Sequence, residues 1–271
     1  MNAPTIAVKE TSAVVTARRF VGRHVVVSGG AAGVGAEACR LFAAEGALLS
    51  IIDIQLELAA ALAEELMEAG VEVMAVAADV SDETSVERAI RMAVDRFGPV
   101  DILFNHAGTL VVKPFHETSL DEWRRMFAVN VESMFLMSRA VLPSMIARGG
   151  GVFVNTSSIS ANLATPMEVL YCASKAACSM ITKGIATEYR DQNIRCNAVC
   201  PGFIRTAHGL REIDILKSYG VDVSEAGIAE LQGRICEPIE VARAALFLAS
   251  SDASFINGET LFVDNGMMVR T

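Results

Sequence analysis

The chain has 271 residues, 52% of them hydrophobic and 6% aromatic, with a formal net charge of −9. That length suits one large α/β domain or two small ones, with apolar side chains enough for a sizeable core, and the acidic balance argues against a nucleic-acid partner. No apolar run reaches the roughly 18 residues of a membrane span, the four histidines are scattered so no metal site is expected, and the six cysteines form no CxxC pair, as in a reduced cytoplasmic protein.

Residues 1–20 read as an N-terminal extension, partly disordered and without the continuous apolar core of a secretory signal. Their arginines and Ser/Thr residues keep a transit peptide as the alternative. Residues 23–28 are a β-branched run, a buried strand that ends in the glycine loop 29–35. A helix over 36–45 follows, stopped by Gly46. A second buried strand, 47–53, ends in Asp53. The pattern then gives a helix over 56–69, a strand over 71–78 leading into Asp79 and Val80, and a helix over 82–97 capped by Ser81. Residues 100–105 form a fourth strand that ends in Asn105.

A long helical stretch over about 120–147 carries Asn130 in its middle, a poor interior residue unless it has a task or bends the helix. Pro143 is placed to kink it. Residues 151–158 are an apolar strand with a polar end, Ser158. A helix around Tyr171, a strand over 194–200, a helix over 240–250 and a strand over 259–264 complete the pattern. Residues 203–235 lack clean periodicity and are expected as a substrate loop, with Leu210, Ile213 and Leu216 spaced for a short helix. The regular alternation calls for one α/β domain over 21–271, a Rossmann-type doubly wound parallel sheet of about seven strands with helices on both faces.

Three features carry chemistry. A glycine loop between a strand and a helix lets backbone approach a pyrophosphate at the helix N-terminus. Asp53 lies 18 residues past Gly35, near the roughly 20 expected of the acid that holds the adenosine ribose. A carboxylate there repels a 2′-phosphate, and Ile54 beside it brings no cation, so NAD is expected over NADP. Tyr171 and Lys175, four residues apart, share one helix face, where an ammonium favours a phenolate base. Alone, the pair also suits a solvated helix face; the glycine loop upstream favours the catalytic reading.

Together these motifs resemble the short-chain dehydrogenase/reductase family over nearly the whole chain. The family's glycine loop appears as residues 28–35, with Gly29, Gly33, Val34 and Gly35 toward the cofactor and serine in place of the usual threonine. Asp79 and Val80 match the adenine-contacting pair, and Asn105 opens a stretch in which His106 is a departure. Asn130, Ser158, Tyr171 and Lys175 match the catalytic tetrad, with Ser158 13 residues before the tyrosine. Pro201, Gly202, Ile204 and Thr206 match the segment that borders the nicotinamide.

The resemblance implies that Tyr171 is the acid/base, that Lys175 lowers its pKa and binds the nicotinamide ribose, and that Ser158 polarises the substrate oxygen. It implies that Asn130 supports a water linking Lys175 to solvent. It also implies a homotetramer or homodimer acting on a small alcohol or ketone. The expected substrate is a mostly apolar secondary alcohol, walled by Leu110, Val111, Leu163 and Met167 with Asn162 and His208 as polar contacts. Rival readings are a catalytically silent nucleotide-binding regulator, and an epimerase or dehydratase on the same fold.

Overall fold

The computed structural model describes residues 18–269. Seven parallel strands form one sheet: β1 (His24–Ser28), β2 (Leu48–Asp53), β3 (Val73–Ala77), β4 (Ile102–Asn105), β5 (Gly151–Thr156), β6 (Ile194–Pro201) and β7 (Thr260–Val263). Their order across the sheet is β3-β2-β1-β4-β5-β6-β7. The chain winds one way from β1 to β3, then crosses back to β4 and continues the other way. Ligands bind at such a reversal, outside the C-terminal strand ends.

Both faces of the sheet are covered, which explains why β1 and β4 are apolar at successive positions rather than alternating. Val25 and Val27 point to one face, against α1 (Gly33–Ala44) and α9 (Pro238–Ala249) through Phe42 and Leu246. Val26 points to the other, against α3 (Glu83–Phe97) and α5 (Ser133–Arg148) through Val86 and Val141. The period of two along a strand thus feeds two separate cores. Helix α2 (Leu56–Glu68) adds Leu62 and Leu66 to the first.

Several boundaries differ from the sequence reading. The supposed extension 1–20 lies mostly outside the described residues, but Phe20 is buried against the Phe42 ring, with centroids 4.9 Å apart, and Arg19 pairs with Glu45. Helix α1 begins at Gly33, so the glycine loop includes its first turn. The cap of α3 is Asp82, which accepts from the Ser85 amide; Ser81 instead turns back onto Asp79. The long stretch 120–147 is two helices, α4 (Leu120–Phe127) and α5, joined by a π turn at Ala128–Glu132 that contains Asn130.

Residues 203–235 are more ordered than their composition indicates. They form α7 (Ala207–Ser218) and α8 (Glu225–Gln232), capped by the hydroxyls of Thr206 and Ser224. Ile213, Leu216 and Ile228 pack with Leu110, Val112 and Phe203 in a third apolar cluster. Helix α6 (Val169–Glu188) lies beside it, with Tyr171 and Met167 at the cluster's edge.

Candidate active site

A cleft of about 390 Å³ opens along the C-terminal ends of the strands, within the range of small-molecule sites. At one end is the glycine loop. Gly29 is in the left-handed region (φ 67°), and a β-carbon there would stand 2.8 Å from the Ala107 α-carbon. Gly35 faces inward, where a β-carbon would overlap the Gly29 carbonyl oxygen. The loop is therefore packed to backbone contact. No side chain caps α1 and no acid occupies its first turn. Gly33 and Val34 line the cleft at this helix N-terminus, which attracts an anion. An uncapped helix end in a glycine cradle fits the pyrophosphate of a dinucleotide.

Asp53 also lines the cleft. Its Oδ2 accepts from the Ala31 amide at 3.0 Å and its Oδ1 from the Gln55 amide at 2.9 Å, so both oxygens are fixed with lone pairs to spare. Ile54, exposed, follows it along the wall. Arg40, the cation nearest in sequence, is forked onto Glu65 at 2.7 and 2.8 Å. Asp79 and Val80 lie farther along the same wall. Asp79 accepts from the Ser81 hydroxyl and amide, which holds its carboxyl below the usual range, and pairs with Arg125 at 3.7 Å. The sequence reading missed Arg125, which reaches the cleft from α4.

At the other end, Ser158, Tyr171 and Lys175 converge on the cleft. Strand β5 delivers Ser158 just past its end, and α6 carries Tyr171 and Lys175 one turn apart. The Lys175 Nζ donates to the Thr156 carbonyl at 3.0 Å and stands 5.6 Å from the Tyr171 ring centre. Burial pushes the Tyr171 phenol well up, and Glu212 and Glu168 push it the same way; the Ser158 hydroxyl favours the phenolate. Burial lowers Lys175. Burial, Glu212 and Glu168 thus outweigh the Ser158 hydroxyl, and the phenol is raised where the sequence reading expected it lowered.

Asn130 does not line the cleft. Its Oδ1 accepts from the Thr109 amide at 2.7 Å, and its Nδ2 donates to the Thr109 carbonyl and Ser174 hydroxyl. Asn130 and Lys175 face the same space beside Gly108: a β-carbon there would lie 3.4 Å from Asn130 Oδ1 and 3.6 Å from Lys175 Nζ. The main-chain oxygen of Asn130 accepts from the Cys178 thiol. Asn105, expected at the cofactor, stays within the sheet, where its Nδ2 donates to Asn155 and Ser138. His106 takes the cleft position instead, bonded to the Thr156 hydroxyl and held neutral by burial, its pKa lowered to about 3. Gly35 likewise supports the loop from behind. Pro201, Gly202, Ile204 and Thr206 line the cleft as expected.

The apolar substrate wall is not where the sequence placed it. Leu110 and Met167 pack under α7, and Leu163 and Asn162 are exposed. With Val111, none of them lines the cleft. His208 does, with Thr165 and Glu212 alongside the apolar Ile159 and Phe203, so this end mixes polar and apolar walls. Burial lowers His208 to about 4 and leaves it neutral.

A family model described as enoyl-(acyl carrier protein) reductase matches residues 29–268. The 2,5-dichloro-2,5-cyclohexadiene-1,4-diol dehydrogenase of Sphingobium indicum is 35% identical over 254 residues, 93% of this chain and 99% of the relative. Levodione reductase superposes with a TM-score of 0.88 at 32% identity, covering 93% of this chain and 100% of its own. A gluconate 5-dehydrogenase from Burkholderia cenocepacia, solved with NADP and tartrate, gives 0.84 at 32% identity, covering 94% and 99%. With a parallel seven-stranded sheet, a glycine loop at its reversal point and these likenesses over nearly its full length, the chain belongs to the short-chain dehydrogenase/reductase family.

Proposed function

We propose that the protein is an NAD-dependent oxidoreductase that interconverts a secondary alcohol and its ketone. The observation that carries this reading is the convergence of Ser158, Tyr171 and Lys175 on the cleft that also contains the open N-terminus of α1 and Asp53. The relatives include dehydrogenases of alcohols, which supports the alcohol chemistry.

The amides of Gly33 and Val34 would hold the pyrophosphate, and Asp53 the adenosine ribose. When bound, the nicotinamide supplies the hydride acceptor for oxidation and the donor for reduction. Ser158 Oγ donates to the substrate oxygen and fixes it beside the phenol. Tyr171 Oη takes the carbinol proton as the alcohol is oxidised and returns it in reduction. The Lys175 ammonium favours the phenolate form that accepts the proton.

NAD is preferred because Asp53 presents negative charge and Arg40 is held by Glu65. The NADP-bound neighbour marks the alternative; Arg125 is the cation that would serve it, and Asp79 already pairs with it. A carrier-bound acyl substrate would need several free cations at the mouth; Arg205 and Arg234 are paired with Glu237 and Glu240, which leaves Arg211. A silent regulator is disfavoured by the assembled Ser158, Tyr171 and Lys175. Exposed Leu120, Phe135 and Met180 on α4, α5 and α6 support assembly into a dimer or tetramer, and the thiol content supports a cytoplasmic location. Incubation with NAD and a panel of secondary alcohols, followed by the absorbance of reduced nicotinamide, tests the reading; no turnover with NAD or NADP would refute it.

A further inference from the structure

Glu168 and Glu212 are not explained by the chemistry above. Glu168, at the N-terminal boundary of α6, is 1% exposed, and among the described residues neither of its carboxyl oxygens has a donor. Carboxylates are rarely left so, because burying an unpaired charge is costly. Met167 before it is held in the left-handed region (φ 67°), and its carbonyl accepts from the Lys113 amide at 2.7 Å. The backbone is thus fixed where it turns Glu168 inward.

Glu212 approaches from α7. Its carboxyl forms part of the cleft wall, and burial together with the neighbouring Glu168 carboxyl raises its pKa. Both are close enough to Tyr171 to act on its phenol. Neither neighbouring base neutralises them: Lys175 is committed to the Thr156 carbonyl, and His208 is neutral. Two adjacent buried carboxyls cannot both ionise, so the pair retains a proton between them. It therefore offers one O–H donor and several acceptor oxygens.

We propose that Glu212, backed by the buried Glu168, forms a polar subsite beside Tyr171 that takes a second hydroxyl group of the substrate, so that diols and polyols are preferred to simple secondary alcohols. The assignment rests on the dehydrogenase reading. A hydroxyl both donates and accepts, and so matches a half-protonated pair. An ammonium only donates, and a carboxylate only accepts and adds like charge. A site built to bond a substrate hydroxyl rejects the analogue that lacks it, because its own polar groups are then left unpaired.

The test uses the full chain with NAD and four probes: cyclohexanol, the cyclohexanediols, 2-aminocyclohexanol and 2-hydroxycyclohexanecarboxylate. The best diol should exceed cyclohexanol in kcat/KM by at least about tenfold. Glu212→Leu should abolish that ratio, while Glu212→Gln, which keeps a donor and an acceptor, should retain most of it. Thermal shift gives a readout that needs no turnover: the diol should raise the Tm of the wild type more than cyclohexanol does, and should lose that advantage in Glu212→Leu. Equal use of cyclohexanol, a preference for the amino alcohol or the hydroxy acid, or a diol preference that survives Glu212→Leu would overturn the proposal. If no probe is oxidised, the dehydrogenase reading fails, and the thermal shift still decides the subsite.

Discussion

The Lys175 ammonium stands 5.6 Å from the centre of the Tyr171 ring, yet burial, Glu212 and Glu168 hold the phenol well above its ordinary pKa. The proton acceptor in oxidation is the phenolate. A raised pKa therefore places the rising limb of kcat/KM for oxidation in the alkaline range. The double replacement Glu168→Gln/Glu212→Gln removes the one negative charge the pair carries beside the phenol and should move that limb to lower pH. A pH–rate profile of the two proteins checks this; a limb that stays in place or moves up would contradict it.

Cofactor choice should follow Asp53. Its oxygens are fixed by the Ala31 and Gln55 amides, and Arg40 is held at Glu65. NAD should be preferred over NADP by at least about tenfold in kcat/KM, equivalent to ~1.4 kcal/mol. Steady-state kinetics with both cofactors decides, and equal or better use of NADP would show that Arg125 outweighs Asp53.

The glycine cradle should not tolerate a methyl group. In Gly35→Ala the β-carbon meets the Gly29 carbonyl, which can yield only by moving the loop. Overpacking of this kind costs about 1–3 kcal/mol. The variant should lose thermal stability, and NAD should no longer raise its Tm. A variant with wild-type Tm and an intact NAD response would mean that the loop is looser than described.

Stability should respond to Glu168. Its pKa is raised from an ordinary 4.5 to about 7, first by burial. The folded protein therefore binds the proton more tightly than the unfolded chain. The penalty is absent below pH 4.5, grows as pH rises and is complete above about 7. It amounts to at most ~3 kcal/mol. Across this window wild-type Tm should fall more steeply than that of Glu168→Gln. Parallel slopes in the two proteins would rule out the buried carboxyl as the cause.

Legibility in the sequence followed distance along the chain. The glycine loop, Asp53 and the Tyr171/Lys175 pair depend on short spacings, and each was readable because its geometry is local. Asn130 was visible as an anomaly, but the π turn that contains it leaves no compositional mark. Of the helices in 203–235, α7 was announced by the spacing of Leu210, Ile213 and Leu216, whereas α8 was hidden among glycines, although Thr206 and Ser224 were readable caps. Asn105 was misplaced because a strand end shows that a residue is near the cleft, not whether its side chain faces the ligand or the next strand. Glu168 and Glu212 are 44 residues apart in sequence. Only the packing of α7 onto the start of α6 brings them together, and the same packing withdraws Leu110 and Met167 from the cleft.

The central claim is that Tyr171 moves the substrate proton. It is tested most directly by turnover of the best alcohol with NAD in wild type and Tyr171→Phe, alongside NAD affinity by calorimetry. The phenylalanine variant should lose at least about a hundredfold in kcat, the lower range of general acid–base contributions, with little change in NAD affinity. Near wild-type turnover in that variant would contradict the account.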